Sequence, residues 1–232
     1  MKCLYCKNLF ISAVGWRDLL GLDGEPLLCG ECRGKLVLIE GEICQQCGRA
    51  FSLFPEKYRQ NDICLDCVEW SRRGRSISKN RSLFLYNSFL QEWMAQFKYR
   101  GDAELIKAFS DELRTLFKKE FRDTIVVPIP LSEERQYERG FNQSELIAIS
   151  LGATVVDALE RPLHEEKQSK KSRVDRLENQ TVFTFKSSAD IHGKSITLVD
   201  DIYTTGATVE AAGKILLEEG ARKVMSFTVA RG

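Results

Sequence analysis

The densest chemistry in the sequence lies at Ile196-Thr197-Leu198-Val199-Asp200-Asp201-Ile202-Tyr203-Thr204-Thr205-Gly206-Ala207-Thr208. The apolar start of this run predicts a buried strand over Ser195–Val199, which delivers two adjacent carboxylates at its C-terminal end. A Thr/Gly-rich turn follows, then a helix predicted over Thr208–Gly220. An open α/β sheet binds its ligands at such a place. Gly206 lets main chain approach a phosphate closely. The amides of Thr205, Gly206, Ala207 and Thr208, the hydroxyls of Thr204, Thr205 and Thr208, and the positive helix end would together form an anion cup. Asp200 and Asp201 stand near enough to reach ribose hydroxyls. A plain N-capped helix needs one Asp or Thr and leaves the rest of the pattern unexplained. A P-loop is excluded, because no Gly-Lys-[Ser/Thr] follows a Gly-rich loop.

A second constellation precedes it. Pro128-Ile129-Pro130-Leu131 leads to Arg135 and then to Arg139-Gly140-Phe141-Asn142-Gln143. Guanidinium forks match phosphate oxygens. Alone, Arg135 and Arg139 are one turn of a solvated helix; beside the Asp-Asp motif they become phosphate candidates, together with Asn142, Lys98 and Arg100. Gln168–Asn179 carries Lys170, Lys171, Arg173 and Arg176 and reads by default as a surface loop. His164 and His192 are solitary and are taken as surface residues.

All eight cysteines lie between Cys3 and Cys67, in four knuckles of identical spacing: Cys3/Cys6, Cys29/Cys32, Cys44/Cys47 and Cys64/Cys67. Two intervening residues let both thiolates of a knuckle face one ion, and two knuckles complete a tetrahedral site. Without an export signal after Met1-Lys2-Cys3, disulfides are disfavoured. Repeated CxxC outside a βαβ context argues against redox chemistry. Two structural zinc sites are expected, with iron–sulfur clusters the minor alternative. Sequential pairing costs less loop-closure entropy than an interleaved cross-brace. Gly48 is expected to turn backbone amides toward sulfur. All-thiolate sites leave no open position, so no zinc catalysis is expected.

These residues need elements to hold them. Over 232 residues, 34 Lys+Arg oppose 33 Asp+Glu, giving a formal net charge of +1. That excludes a globally basic nucleic-acid coat, so any such surface is a local patch. Leu146–Val156 is the longest stretch without a charged residue, too short to span a membrane. A soluble cytoplasmic protein is expected. Ser71–Ser82 holds five positive charges and reads either as a solvated linker or as a phosphate-backbone contact. Strands are predicted at Leu83–Tyr86, Thr124–Val127, Thr154–Val156 and Val224–Val229. Helices are predicted at Phe89–Phe97, Ala103–Phe121 and Asn142–Leu151. The alternation argues for a doubly wound, mostly parallel α/β sheet. The domains are expected at 1–70 and 71–232, with 71–82 a basic linker.

The Asp200–Thr208 run resembles the phosphoribosyl pyrophosphate (PRPP) motif of type I phosphoribosyltransferases. In that motif the acids hold the ribose and the loop holds the 5′-phosphate. The Gln168–Asn179 loop would then be a flap over pyrophosphate. The whole combination resembles the ComF family, competence-associated proteins also called GntX-like. It matches in the cysteine knuckles, Phe97-Lys98-Tyr99-Arg100-Gly101-Asp102, Arg139-Gly140-Phe141-Asn142-Gln143, the Asp200–Thr208 run, and Gln168 with Arg173, Arg176 and Asn179. It departs at Glu165, where members often carry threonine.

The resemblance implies a zinc-finger domain before a phosphoribosyltransferase-like domain. It also implies a role in natural transformation: handling incoming single-stranded DNA in the cytoplasm, in peripheral association with the uptake machinery at the inner face of the membrane. Some relatives are linked to using DNA as a nutrient. Implied partners are a DNA-translocating helicase and a protein that loads recombinase on single strands. Rival readings are an active phosphoribosyltransferase using PRPP and Mg2+ on an unknown acceptor, and a nucleotide-responsive scaffold for a helicase. Tyr99 and Phe141 could stack on bases, with core packing the better role for Phe141. The chain stops at Arg231-Gly232, directly after the last predicted strand, so the segment between the zinc domain and the first core strand is expected to supply any hood over a nucleobase.

Overall fold

The computed structural model of the chain describes residues 1–11, 26–99, 102–162 and 183–232, with only the main chain of Tyr99. The main elements in chain order are α1 (Gly30–Gly34), β1 (Arg59–Gln60), β2 (Ile63–Cys64), α2 (Leu65–Arg72), β3 (Ile77–Leu85) and α3 (Ser88–Tyr99). A 3-10 helix (Ala103–Phe109) and α4 (Ser110–Glu120) follow, then β4 (Ile125–Pro128), α5 (Glu133–Arg139) and α6 (Gln143–Ser150). The chain closes with β5 (Leu159–Glu160), β6 (Thr184–Phe185), β7 (Ser195–Tyr203), α7 (Ala207–Glu218) and β8 (Lys223–Arg231).

Four strands form one parallel sheet in the order β3-β8-β7-β4. Leu85, Arg231, Tyr203 and Pro128 therefore all end at the same edge, where the two phosphate-candidate loops emerge together. Strands buried on both faces explain the continuous apolar runs. Alternation sends Val126 and Val199 to one side and Val127 and Leu198 to the other. The first side is covered by Trp93 and Phe97 of α3, Phe117 of α4 and Ile147 of α6. The second is covered by Val209, Ala212 and Leu216 of α7. Each fully buried large side chain contributes about 1.5–3 kcal/mol. This is the doubly wound sheet the alternation predicts.

Two expectations are corrected. The helix predicted over Ala103–Phe121 is broken, because a 3-10 segment places Ile106 and Phe109, three residues apart, on one buried face before α4 begins. The basic stretch Ser71–Ser82 is not a linker: α2 reaches Arg72, and β3 starts at Ile77, well before the strand predicted at Leu83. Its cations are largely spent on distant acids. Arg75 pairs with Glu210 at 3.2 Å, and Lys79 and Arg81 share Glu120, each at 3.2 Å. A local charge count cannot see partners that the sheet brings in from elsewhere.

The cysteine segment straddles the free edge of β3. Ile39 donates its amide to Leu83 O and Leu85 donates its amide to Val37 O, both at 2.9 Å. This antiparallel stretch covers an edge that would otherwise expose unpaired main chain. Cys3 and Cys32 pack into the first side of the core, where Tyr5 stacks on Trp93 at 4.8 Å between centroids. Cys44, Cys47, Cys64 and Cys67 pack into the second side with Ile77 and Tyr203. Buried Asn80 of β3 locks the third knuckle down: its main-chain amide donates to Gln46 O (2.6 Å) and its Nδ2 to Cys47 O (3.2 Å).

Candidate functional site

β7 runs to Tyr203 rather than stopping at Val199, so both acids belong to the strand, with Asp200 registered on Thr228 and Tyr203 on Arg231 of β8. Asp200 Oδ1 accepts from Ser144 Oγ at 3.2 Å and from the Asp201 amide at 2.8 Å. Burial, and then the charge of Asp201, push the Asp200 carboxyl up to about 7. Asp201 is buried and ion-paired with Lys98 Nζ of α3.

The amides of Thr204, Thr205 and Gly206 make no main-chain hydrogen bond among the described residues. The Ala207 amide donates to Thr205 Oγ1 at 3.3 Å. Gly206 caps α7 at φ +89, and the Glu210 amide closes onto its carbonyl at 2.9 Å. A Cβ at Gly206 would come within 2.3 Å of Tyr203 Oη, so both conformation and space demand glycine. Thr204, Thr205 and Ala207 are exposed and Thr208 is half-buried. The predicted elements thus bring the acids and the candidate cup to one strand tip.

The pyrophosphate candidates divide. Arg135 is exposed on α5, whose Ser132 cap accepts the Arg135 amide at 3.4 Å. Arg139 Nη1 donates to Gln143 Oε1 at 2.9 Å. Asn142 is occupied as the α6 cap: Oδ1 accepts the Ser144 amide at 3.0 Å, and Nδ2 donates to Ile129 O at 3.0 Å. That side chain fixes α6 to the exit of β4 and is not free for phosphate. Lys98 sits on Asp201 rather than along an outer track. Phe141 packs on Phe97 at 5.6 Å, a core contact. Arg100, Lys170, Lys171, Arg173, Arg176, His164, the Gln168–Asn179 loop and the Tyr99 side chain lie outside the described residues.

Two arginines, Arg161 and Arg231, escape a reading of the sequence, and a third, Arg75, shows there only as one charge of the Ser71–Ser82 stretch. Burial and then the charge of Arg135 lower the Arg161 guanidinium, while the charge of Asp200 opposes the shift. Arg161 lines a cavity of about 460 Å³ with Pro128, Pro130 and Asn142. Arg75 and Arg231 are buried beside the second cysteine group and Tyr203. Arg161 stands alone beside Pro162, and Arg231 ends a strand, so neither belongs to a motif that would have singled it out. Tyr137 of α5, 93 % exposed between Arg135 and Arg139, was also passed over.

The cysteines gather as Cys3/Cys6/Cys29/Cys32 and Cys44/Cys47/Cys64/Cys67, with all ligand atoms of a group within 4.8 Å of one another. This is the sequential pairing. Backbone amides do reach sulfur, Cys29 N to Cys3 Sγ at 3.4 Å and Cys64 N to Cys44 Sγ at 3.3 Å. Gly48, expected to supply one, donates instead to Cys44 O. Hydrogen bonds from Cys44, Cys64 and Cys67 hold the Cys47 thiol far below its usual range, and the Cys67 thiol is pushed up in return. Four thiols this close ionise together only around a cation, so each group fits a four-thiolate metal site.

Residues 105–232 match the phosphoribosyl transferase domain family. Competence protein ComFC of Bacillus subtilis (strain 168) is 41% identical over 242 residues, covering 99% of this chain and 94% of the relative. The chain belongs to the ComF family. Competence protein ComFC of Streptococcus pneumoniae (strain ATCC BAA-255 / R6) is 35% identical, with 100% of both chains covered. DNA utilization protein YhgH of Escherichia coli (strain K12) is 27% identical over 89% of this chain and 97% of its own length. Among solved structures, adenine phosphoribosyltransferase of Saccharomyces cerevisiae is 18% identical, covering 56% of this chain and 69% of its own, at a TM-score of 0.36. In this ComF-family chain the Phe97–Asp102 and Arg139–Gln143 blocks meet through the Phe97–Phe141 contact, which brings Lys98 and Ser144 to the two acids.

Proposed function

We propose that this chain handles incoming single-stranded DNA during natural transformation, using the Thr204–Thr208 loop to hold a phosphorylated ribose: PRPP or a nucleotide end. The observation that carries the reading is the set of Thr204, Thr205 and Gly206 amides, which find no main-chain partner among the described residues, standing beside Asp200 and Asp201 at the C-terminal edge of a parallel sheet. The loop would take the 5′-phosphate and the acids the ribose hydroxyls. Full-length similarity to two competence proteins supports the biological setting.

Arg135 and Arg161 would face the remaining phosphates, and exposed Tyr137 offers a ring on which a base can stack. The eight cysteines would hold two zinc ions, which supply structural cross-linking and no reactive position. Among the described residues no helix is long and apolar enough to cross a membrane. We place the protein in the cytoplasm, at the inner face of the uptake machinery, with a helicase and a recombinase-loading protein as partners.

A phosphoribosyltransferase reading is favoured by one further observation: among the described residues Asp200 forms no ion pair, Lys98 Nζ pairing with Asp201 instead. Mg2+ would enter with PRPP, and the chain's own contribution would be to hold the sugar and neutralise pyrophosphate with Arg135 and Arg161. Pyrophosphate release from PRPP across a panel of acceptors tests this reading; silence with every acceptor removes it.

The decisive experiment for the main proposal combines transformation frequency with oligonucleotide binding in wild type and Asp200→Ala/Asp201→Ala. Oligonucleotide affinity should fall steeply with salt in wild type. The double variant should lose transformation while keeping the fold. An affinity that stays flat from low to moderate salt would defeat the single-strand reading.

A further inference from the structure

The second cysteine group and the phosphate loop share one wall. A cavity of about 420 Å³ is lined by Cys47, Cys67, Trp70, Tyr203, Thr204 and Arg231. Two arginines with buried side chains stand at that wall: Arg231 reaches a sulfur and the loop carbonyl of Thr204, and Arg75 reaches a sulfur and the Tyr203 hydroxyl before the loop.

Arg231, at the end of β8, is 4% exposed. Its Nη2 donates to Cys47 Sγ at 3.7 Å. Its Nη1 donates to Thr204 O at 2.9 Å, Tyr203 O at 3.2 Å and Gly232 O. The guanidinium lies over the Tyr203 ring, 4.9 Å from its centroid. Arg75 donates from Nη1 to Cys67 Sγ at 3.1 Å and from Nη2 to Tyr203 Oη at 3.4 Å. It pairs with Glu210, in the first turn of α7, and Glu210 also accepts the amides of Ser76 and Ile77. Tyr203 in turn lies directly beneath Gly206.

The charges fit this arrangement. A buried guanidinium is costly unless it is paired. Arg75 has Glu210, but no carboxylate side chain among the described residues lies within ion-pair reach of Arg231. Four thiolates outweigh a divalent cation by two charges, so a metal-loaded centre sets an anion against Arg231 through Cys47 Sγ. Loss of the metal would weaken that contact and loosen the carbonyls of Tyr203 and Thr204 that Arg231 holds.

We propose that Arg231 and Arg75 are positioning residues through which the second four-cysteine centre sets the shape of the phosphate loop. Metal binding at the centre and phosphate-ester binding in the loop are therefore coupled. The coupling to ligand rests on the phosphate-site reading above; the coupling to loop shape does not. By linkage, a ligand in the loop must also tighten the metal.

The test uses the full zinc-loaded chain, with R231M and R231K. One readout is hydrogen exchange of the Glu210 amide, which closes onto Gly206 O. The other is the rate at which a chromophoric chelator extracts zinc from the second centre, with and without PRPP. R231M should retain both zinc ions, accelerate Glu210 exchange and speed extraction, each about tenfold. R231K, which keeps charge but cannot bridge sulfur and carbonyl together, should fall between. PRPP should slow extraction in wild type and not in R231M.

If R231M fails to fold, R231K alone must show both effects. Unchanged exchange and extraction in a metal-replete variant would overturn the proposal. If wild type binds no PRPP yet the variants loosen both loop and metal, the phosphate reading fails while the positioning role stands.

Discussion

Asp200 is the residue whose chemistry is most displaced by its surroundings. Its carboxyl titrates near 7 because it is buried and Asp201 stands beside it. The folded value lies above the ordinary 3.8, so the native state binds more protons between those limits. Stability from this group is intact below about pH 4 and is lost as pH rises through about 7. Asp200→Asn should therefore match wild type at pH 4 and exceed it above pH 7, by on the order of 1–3 kcal/mol, in paired denaturation curves. The same substitution should weaken ribose binding, which would show a site held at a cost in stability. Equal stability at both pH values would mean that Asp200 ionises normally. The acids and the loop were legible in the sequence because both ends of their chemistry lie within a few consecutive residues. Arg161 and Arg231 were not, since neither belongs to a motif, and Arg75 showed only as one charge of a basic stretch, because Glu210 and Tyr203 come beside it through folding.

At the scale of elements, the strands were easiest to read, because burial on both faces leaves unbroken apolar runs such as Ile196–Val199. Their ends were harder. β7 continues through two carboxylates since Ser144, Lys98 and the Asp201 amide satisfy them, and no local pattern announces that. β3 was hidden for the same reason: Arg75 just before it, and Lys79 and Arg81 within it, look solvated until Glu210 and Glu120 are in place. Helix α6 illustrates the opposite case. Asn142 has the sequence of a ligand-binding block but the geometry of a cap. Asn142→Ala should cost about 1 kcal/mol from the lost cap, with a further loss from the bond to Ile129 O, measurable as a lower denaturation midpoint. On α5, Tyr137→Ala should leave stability unchanged and weaken oligonucleotide binding by about 1–3 kcal/mol. Unchanged binding would move the stacking surface elsewhere.

Across the whole molecule, the cysteine segment is a clamp around a sheet edge. Its first group is packed into one side of the core, its second into the other, and main chain from Val37 to Ile39 lines β3 between them. Stripping metal should therefore destabilise the sheet as well as the knuckles. Thermal unfolding of the zinc-loaded chain should be one cooperative transition that moves down as a whole with chelator. A separate early transition, with the sheet melting at its original temperature, would show instead that the cysteine segment folds on its own. The spacing of the knuckles revealed the metal chemistry, but nothing local revealed that the two centres sit on opposite sides of one sheet.

The central claim is that main-chain amides at the tip of β7 hold a phosphate beside two sugar-gripping acids. Calorimetric titration of PRPP into the full chain and into Gly206→Ala tests it most directly. The added Cβ would strike Tyr203 and strain a left-handed residue, at about 1–2 kcal/mol from conformation alone, without touching either acid. Saturable binding in wild type and its loss in a folded Gly206→Ala chain is the predicted result. Equal binding by both proteins, or none by wild type, would contradict the account.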